Sequence, residues 1–273
     1  MTEKLACFKA YDIRGKVPSE LNEDVAYKLG RAYAVEIQPD GPVAVGRDIR
    51  VSSESLCNAL VQGLNDAGLN TRDIGLCGTE MTYHAAGLDG MGGAIMVTAS
   101  HNPMDYNGMK LVRAGAVPIS GDSGLKDLER RVRENDIGEK ATTPGTNEAI
   151  DILDGYVEKL LSFVDVSKLK PLKIVANAGN GCAGPFLDAV AKHLPFEFIR
   201  LHHEPDGTFP NGIPNPLLEE NRPVTVQAVL DNQADLGIAW DGDFDRCFFF
   251  DENGEFADGY YIVGLLASHM LKG

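Results

Sequence analysis

The sequence has few basic residues, and this shortage narrows its possible functions. Lysine and arginine number 25 against 40 acidic residues, so the formal net charge is -15 at pH 7. Proteins that bind nucleic acid present clusters of Lys and Arg to the phosphate backbone, and we therefore expect no nucleic-acid partner. A small phosphorylated ligand remains compatible with this charge, because it needs only a local group of cations.

Cysteines are also few, and their spacing forms no recognisable pattern. There are five, an odd number, and none belongs to a CxxC pair of the kind found in many zinc sites. A disulfide scaffold is therefore not expected, and reduced thiols buried as small apolar side chains are the better interpretation. The residues concerned are Cys7, Cys57, Cys77, Cys182 and Cys247.

Long apolar segments are missing as well. No stretch approaches the roughly 20 apolar residues that a membrane-spanning helix needs. Residues 1–12 lack the basic start and apolar segment of a secretory signal, so we expect a cytoplasmic protein without membrane contact. With 44% hydrophobic and 24% charged residues the composition is that of an ordinary globular protein. A length of 273 residues favours two domains over a single core.

Short apolar strands alternate with helical patterns on both sides of a polar segment at residues 136–148. This alternation predicts α/β architecture, with two consecutive mixed, largely parallel α/β/α sandwich domains. We place the first domain at residues 1–145, the second at 146–258, and a helix that leads towards a third domain at 259–273. The predicted strands are 42–46, 69–75, 93–98, 172–176, 196–201 and 236–240, and the predicted helices are 21–37, 53–67, 150–163, 185–193, 224–232 and 260–271.

Chemically active residues follow the predicted strand at 93–98, in the segment Thr-Ala-Ser-His-Asn-Pro. Ligands bind beyond the carboxyl ends of parallel strands, so Ser100 and His101 lie where chemistry is expected. Lys110 comes ten residues after the serine and can fold back over it in a hairpin. A serine that carries a phosphoryl group needs an acid or base and cations nearby. The same segment is equally compatible with a simple turn, since these residue types are common in turns.

An acidic motif, Asp241-Gly-Asp243-Phe-Asp245-Arg246, follows the predicted strand at 236–240. Alternate side chains of an extended backbone point the same way, so the three carboxylates can converge on one ion. Ligation by oxygen alone suits a hard cation such as Mg²⁺. A solvated acidic turn is the weaker alternative, because carboxylates this dense beside a buried strand are costly without a counter-ion.

Two other kinds of site share parts of this motif. An EF-hand loop begins Asp-x-Asp-x-Asp and Glu252 falls at its twelfth position, but Arg246 occupies the position that requires glycine. The Cys-Phe-Phe-Phe segment that follows also indicates a strand, so the EF-hand is rejected. A haloacid-dehalogenase-like phosphotransferase places a nucleophilic aspartate directly after an apolar strand, and Asp241 fits that role. Only a short stretch follows for the remaining catalytic residues, so this is the second hypothesis.

Three further segments carry weaker signals. Arg14, in Tyr-Asp-Ile-Arg-Gly, can bind a phosphate through two parallel hydrogen bonds, although a lone arginine is usually a surface residue. Segment 205–216 is rich in Pro and Gly, which predicts an ordered loop without regular structure. Gly179-Asn-Gly181 is best interpreted as a tight turn.

Taken together, these motifs resemble the α-D-phosphohexomutase family, in its bacterial phosphomannomutase/phosphoglucomutase branch. Tyr-Asp-Ile-Arg-Gly, Thr-Ala-Ser-His-Asn-Pro, Asn-Gly-Met-Lys, the Pro-Asp-Gly…Pro-Asn-Pro segment and Asp-Gly-Asp-Phe-Asp-Arg occur in the family's order over essentially the whole chain. The resemblance implies that Ser100 carries a phosphate. It also implies that Asp241, Asp243 and Asp245 hold Mg²⁺ together with an oxygen of the phosphorylated Ser100.

The resemblance implies roles for the remaining polar residues and a reaction. Phosphoserine would give its phosphate to a hexose monophosphate, and the resulting hexose 1,6-bisphosphate, which also serves as activator, would reorient and return its other phosphate to the serine. The implied roles are general acid and base for His101 and Lys110, stabilisation of the transferring group for Arg14 and Arg246, and substrate binding for Tyr11, Arg14 and Asn102. The Thr-Ala-Ser-His-Asn form of the motif favours mannose and glucose phosphates over glucosamine phosphate.

The resemblance further implies that part of the enzyme is missing. Family members have four domains, and the loops of the third and fourth that read the sugar and grip its second phosphate have no counterpart here. We therefore expect weak mutase activity from this chain alone, with the remaining domains supplied in cis or in trans. A non-catalytic fragment that keeps metal binding is the alternative from another class of protein.

Overall fold

The computed structural model describes residues 4–271, which form two β-sheets from successive parts of the chain. The strands of the first sheet are β1 (Ile13–Lys16), β2 (Val43–Arg47), β3 (Thr71–Leu76), β4 (Gly93–Val97), β5 (Tyr106–Arg113), β6 (Val117–Pro118) and β7 (Asn147–Ala149). Those of the second are β8 (Lys173–Asn177), β9 (Glu197–Leu201), β10 (Leu236–Trp240), β11 (Cys247–Phe250) and β12 (Phe256–Ala257).

Helices separate most of the strands. They are α1 (Glu23–Ile37), α2 (Ser53–Asp66), α3 (Thr79–Ala86), α4 (Lys126–Glu134), α5 (Leu153–Leu161), α6 (Ala183–Ala191), α7 (Pro223–Asn232) and α8 (Gly259–Met270). Among residues 4–271, no helix has both the length and the apolar character that crossing a membrane requires.

Both sheets are mixed, with the parallel pairs on one side and the antiparallel pairs on the other. In the first, β2 pairs in parallel with β3 and β4, whereas β5 pairs antiparallel with β4 and β1. In the second, β10 pairs in parallel with β8 and antiparallel with β11. The predicted α/β class is confirmed, and so is the predicted hairpin that carries Lys110, since β4 and β5 form it.

The predicted elements match the observed ones closely, and one cysteine prediction is wrong. The strand predicted at 236–240 coincides with β10, but β7 pairs in parallel with β3 and so extends the first sheet beyond the boundary predicted at residue 145. Because all three β7 residues are exposed, this edge strand has no hydrophobic pattern. Cys247 is exposed, whereas the other cysteines are buried as predicted. The outer limits predicted at residues 1 and 273 lie outside the described residues.

Helices α1 and α2 pack against each other at two glycines. A Cβ atom on Gly63 would lie 2.1 Å from the carbonyl oxygen of Tyr27, and one on Gly30 would lie 2.4 Å from the carbonyl oxygen of Leu60. The two backbones therefore approach more closely than any side chain with a Cβ would allow. This contact closes the hydrophobic core that the two helices build against the first sheet.

We expect Gly63→Ala to lower the free energy of unfolding by about 2 kcal/mol, because the helices must separate to admit the methyl group. Gly264→Ala in α8 is the matched control, since no atom beyond the neighbouring backbone of its own helix lies within 4 Å of the Cβ position there and alanine favours a helix. Urea unfolding followed by circular dichroism gives both values. A Gly63→Ala protein as stable as the unmodified chain would show that the close approach is not required.

Candidate active site

Two loops, one from each sheet, meet at the carboxyl ends of β4 and β10. Ser100 lies on the loop after β4, and its Oγ donates a hydrogen bond of 2.6 Å to Oδ2 of Asp241, which directly follows β10. A Cβ atom on Gly242 would lie 2.6 Å from the carbonyl oxygen of Ser100, so glycine is needed for the loops to approach this closely. The serine motif and the aspartate motif therefore form one site.

The hydroxyl of Ser100 lies between an acceptor and a cation. Nη2 of Arg246 donates to Oγ at 2.9 Å, and Nδ1 of His101 lies 3.2 Å from the same oxygen. Arg246 Nη2 also contacts His101 Nδ1, and because a guanidinium only donates, this contact fits a ring nitrogen that acts as an acceptor. Burial, together with Arg246 and Arg14, lowers the pKa of His101 to about 4, so the ring is neutral at pH 7.

The three aspartates converge as their spacing predicts. One carboxylate oxygen from each of Asp241, Asp243 and Asp245 lies within 4.8 Å of the other two. Oδ1 of Asp243 is buried and has no hydrogen-bond partner among the described residues. A buried carboxylate oxygen without a partner is costly, and a bound cation would satisfy it. The donor set is all oxygen and anionic, so it fits a hard divalent ion such as Mg²⁺.

Two cations partly neutralise this acidic cluster. Nζ of Lys110 lies 2.6 Å from both Asp243 Oδ2 and Asp245 Oδ2, and Nη2 of Arg246 lies 2.5 Å from Asp241 Oδ2. Three carboxylates against two cations leave the cluster negative, which favours an additional positive ion. Lys110 reaches the aspartates from β5, across the gap between the two sheets.

The pKa values of the cluster follow from burial and charge. Burial and the neighbouring carboxylates raise the pKa of Asp241 to about 6. Burial acts to raise the pKa of Asp243 too, but the Lys110 ammonium outweighs it and the pKa is lowered. For Lys110, burial acts to lower the pKa, and Asp243 with Asp245 outweighs this effect, so the pKa is raised and the side chain is an ammonium ion.

Of the three predicted substrate-binding residues, Arg14 and Asn102 lie beside this cluster and Tyr11 does not. Arg14 donates to Asn102 Oδ1 at 2.7 Å and pairs with Asp12 at 2.7 Å, which fixes the guanidinium beside the serine loop. Its Nε is buried without a partner among the described residues. Tyr11 is 82% exposed and is not part of the hydrogen-bonded cluster that the described residues form.

Sequence reasoning missed three residues that support the site. Thr79, the first residue of α3, donates from Oγ1 to Asp243 Oδ2 at 2.6 Å and from its backbone nitrogen to the Asp243 carbonyl at 3.1 Å. Asp48 and Arg50 follow β2 and are buried behind the serine loop. The edge rule that singles out Ser100 applies equally to this charged pair, which also follows a buried parallel strand.

Two segments predicted to be irregular are so, and both adjoin the site. Residues 179–181 form a turn in which Asn180 has a φ of 57°, and the following Cys182 donates from its backbone nitrogen to Gly242 at 3.0 Å. Segment 205–216 has no helix or strand, and its buried Phe209 lies 5.5 Å from the Arg50 guanidinium. Both segments therefore support the loops that carry the serine and the aspartates.

Comparison with known protein families gives two matches that together cover most of the chain. Residues 6–138 match the model described as phosphoglucomutase/phosphomannomutase, alpha/beta/alpha domain I. Residues 154–254 match domain II of the same family. Between them lies the connection that contains β7.

Curated relatives and a solved structure agree with these matches. A Salmonella typhimurium phosphomannomutase is 55% identical over 98% of this chain and 60% of its own length, and Xanthomonas campestris phosphohexose mutases are 56% identical over 98% and 59%. A phosphoglucomutase/phosphomannomutase family protein from Burkholderia thailandensis superposes with a TM-score of 0.85 at 36% identity, over 94% of this chain and 56% of that one. The chain thus spans about 60% of the length of the curated relatives that it matches.

Proposed function

Because this chain belongs to the phosphoglucomutase/phosphomannomutase family, we propose that it is the phosphoryl-carrying part of a phosphohexomutase. The reaction interconverts hexose 6-phosphate and hexose 1-phosphate, with mannose phosphates as first candidates and glucose phosphates second. The names of the Salmonella and Xanthomonas relatives support this substrate class. The observation that carries the proposal is the 2.6 Å hydrogen bond from Ser100 Oγ to Asp241 Oδ2, inside the acidic cluster.

In the proposed reaction, Ser100 Oγ gains and loses the phosphoryl group. The bond between Oγ and phosphorus breaks and Oγ takes a proton from an acid, while a hexose hydroxyl bonds to that phosphorus and gives its proton to a base. After the bisphosphate reorients, Ser100 Oγ attacks the other phosphorus and its proton passes to an acceptor, while the sugar oxygen leaves and takes up a proton. The nearest acceptors are Asp241 Oδ2 at 2.6 Å and His101 Nδ1 at 3.2 Å, which satisfies the geometry of an activated nucleophile.

Charge placement supplies most of the proposed catalysis. Asp241, Asp243 and Asp245, with an oxygen of the phosphorylated serine, would hold Mg²⁺, which stabilises the charge on phosphoryl oxygens. Lys110 and Arg246 place positive charge at the same point, as their contacts with the aspartates indicate.

The remaining roles stay proposals of the same kind. His101 and Lys110 are the candidates for base and acid, Arg14 for holding a phosphate, and Tyr11 and Asn102 for contacting the sugar. Hexose 1,6-bisphosphate is the proposed activator and the cytoplasm the proposed location. The further domains of the enzyme would come in cis or in trans.

Asp241 is the alternative phosphoryl acceptor, as in a haloacid-dehalogenase-like enzyme. Its Oδ2 already accepts hydrogen bonds from Ser100 and Arg246, and its Oδ1 accepts one from the Arg246 backbone nitrogen at 3.2 Å. A nucleophilic carboxylate needs a free lone pair directed at phosphorus, whereas the serine hydroxyl is paired with an acceptor for its proton. The contacts therefore favour Ser100.

The test is to incubate the chain with Mg²⁺ and glucose 1,6-bisphosphate and to map any added phosphoryl group by mass spectrometry. We expect one acid-stable phosphate on Ser100. A phosphate on Asp241 that hydroxylamine removes would replace this mechanism with the aspartyl one. A chain that binds Mg²⁺ but takes up no phosphate would support the non-catalytic fragment.

A further inference from the structure

A buried ion pair connects the end of β2 to the loop that carries Ser100. Asp48 and Arg50 are 4% and 3% exposed, and Arg50 Nε lies 3.4 Å from Asp48 Oδ2. We infer that this ion pair positions Ser100 by holding its backbone carbonyl and its backbone N–H. The inference rests on the function proposed above for Ser100. Neither residue belongs to the cluster that would contact a phosphoryl group.

Arg50 holds the serine loop by its carbonyl oxygens. Its Nη2 donates to the carbonyls of Ser100 at 2.9 Å and Asn102 at 2.6 Å. Its Nη1 donates to the carbonyls of Pro103 at 2.8 Å and Tyr106 at 3.1 Å. One planar guanidinium therefore binds three carbonyls of the irregular serine loop and that of the first residue of β5, and only the rigid fork of an arginine can do this.

Asp48 holds the other backbone group of Ser100 through one intermediate. Oδ2 of Asp48 accepts a hydrogen bond of 2.7 Å from the hydroxyl of Thr98, and that hydroxyl accepts one of 2.9 Å from the backbone nitrogen of Ser100. Oδ1 of Asp48 accepts from Ser53 Oγ and from the Arg50 backbone nitrogen, at 2.5 and 3.0 Å. These two hydrogen bonds hold the Asp48 carboxylate in the orientation in which it accepts from Thr98.

Ser100 needs such support because of its backbone conformation. Its φ of 52° lies in the left-handed region, which residues with a side chain seldom adopt, and such strain persists only where the surroundings over-determine it. In this conformation, Ser100 Oγ lies 2.6 Å from Asp241 Oδ2. A loop free to relax would move Oγ away from the acidic cluster.

Segment 205–216 of the second domain packs against the Asp48–Arg50 pair. The ring of Phe209 lies 5.5 Å from the Arg50 guanidinium, and a Cβ atom on Gly207 would lie 2.2 Å from the carbonyl oxygen of Ile49. Phe209 is buried and keeps water from the arginine, which strengthens its hydrogen bonds. Segment 205–216 therefore has a role in keeping the pair dry.

Arg50→Lys is the test, with Arg31→Lys as the matched control. Arg31 is also 3% exposed and also donates to a backbone carbonyl, that of Gly138 at 2.8 Å, but it contacts no residue of the site. The measurements are the rate of Ser100 phosphorylation by glucose 1,6-bisphosphate over a range of concentrations, hydrogen exchange of residues 98–106, and the thermal midpoint. Thr98→Val is the second variant, since it removes only the hydroxyl between Asp48 and Ser100.

We expect Arg50→Lys to lower the maximal rate by roughly 100-fold, because a displacement of about 1 Å at a reacting atom has that cost. The half-saturating concentration should stay within roughly threefold, and exchange in 98–106 should rise. Thr98→Val should lower the rate by roughly tenfold, and Arg31→Lys should leave rate and local exchange unchanged despite any loss of thermal stability. If Arg50→Lys does not fold, Thr98→Val carries the same comparison.

Two results would overturn the inference. One is a folded Arg50→Lys or Thr98→Val chain that is phosphorylated at the unmodified rate. The other is a loss of rate and a rise of exchange in Arg31→Lys equal to those in Arg50→Lys, which would reduce the effect to general stability. If the unmodified chain takes no phosphate, the proposed function fails on its own, and hydrogen exchange alone then decides whether Arg50 holds the loop.

Discussion

Asp243→Asn is expected to weaken Mg²⁺ binding by roughly two orders of magnitude, since the charge of its oxygen ligands sets the affinity of such a site. Oδ1 of Asp243 is the buried oxygen without a partner among the described residues, and it is the atom that an ion would most relieve. The amide keeps the size of the side chain but removes one negative charge. Phosphorylation of Ser100 should fall at least as far, because the proposed transfer uses the same ion.

The environment of Asp243 increases this effect. Its other oxygen, Oδ2, accepts hydrogen bonds from Lys110 and Thr79, both at 2.6 Å. An asparagine satisfies both donors only with its carbonyl oxygen, which places the amide nitrogen at the former position of Oδ1. A donor would then point where a cation must bind, so the change repels the metal as well as weakening its attraction.

Glu252→Gln provides the control for this prediction. It is the same change from carboxylate to amide at an exposed position close in sequence, outside the acidic cluster. Titration calorimetry with Mg²⁺ and the electron paramagnetic resonance signal of Mn²⁺ measure both variants. Equal affinity of Asp243→Asn and the unmodified chain would remove Asp243 from the metal site and leave its buried oxygen to another explanation.

The chain alone is expected to interconvert mannose 6-phosphate and mannose 1-phosphate at least roughly 1,000-fold more slowly than the Salmonella relative assayed beside it. Binding of the phosphate that is not being transferred positions the one that is, and such remote interactions increase the rate at the reacting centre. Two charge-assisted hydrogen bonds to that phosphate, at about 2 kcal/mol each, would account for about this factor. The chain spans only about 60% of that relative's length.

The control for this prediction is the half-reaction in the same preparation. Transfer of phosphate from glucose 1,6-bisphosphate to Ser100 should still be detected, because a single transfer for each chain is measurable even at a reduced rate. A coupled assay for mannose 1-phosphate measures the full turnover. Turnover comparable to that of the relative would mean that this chain holds the second phosphate itself, with Arg14 as the first residue to replace.

Local patterns were sufficient for most of the fold. The continuous apolar run at 236–240 predicts strand β10 with its exact bounds, because buried strands have such runs. Strand β7 escaped detection because its three residues are all exposed, and an edge strand held only by backbone hydrogen bonds leaves no apolar pattern. Helix α3 is only eight residues long, too short for a clear helical period.

The sequence by itself determined which residues have the chemistry to form a site. Ser100 and the three aspartates stand out because polar groups closely follow buried strands, where a parallel sheet exposes them, and Lys110 stands out because a hairpin brings it back over the serine. Their order also carries the family resemblance. The sequence could not indicate that Tyr11 is 82% exposed, since exposure depends on the packing of distant segments.

Only the tertiary structure decided which of these residues meet and what holds them there. Ser100 and Asp241 are 141 positions apart and are joined by one hydrogen bond across two sheets. The contacts of Arg50 with the serine loop depend equally on distant backbone, because its partners are carbonyl oxygens, which every residue has. A pattern of side chains gives no information about a contact to backbone, and this is why the serine motif was found from the sequence and the contacts of Arg50 that support it were not.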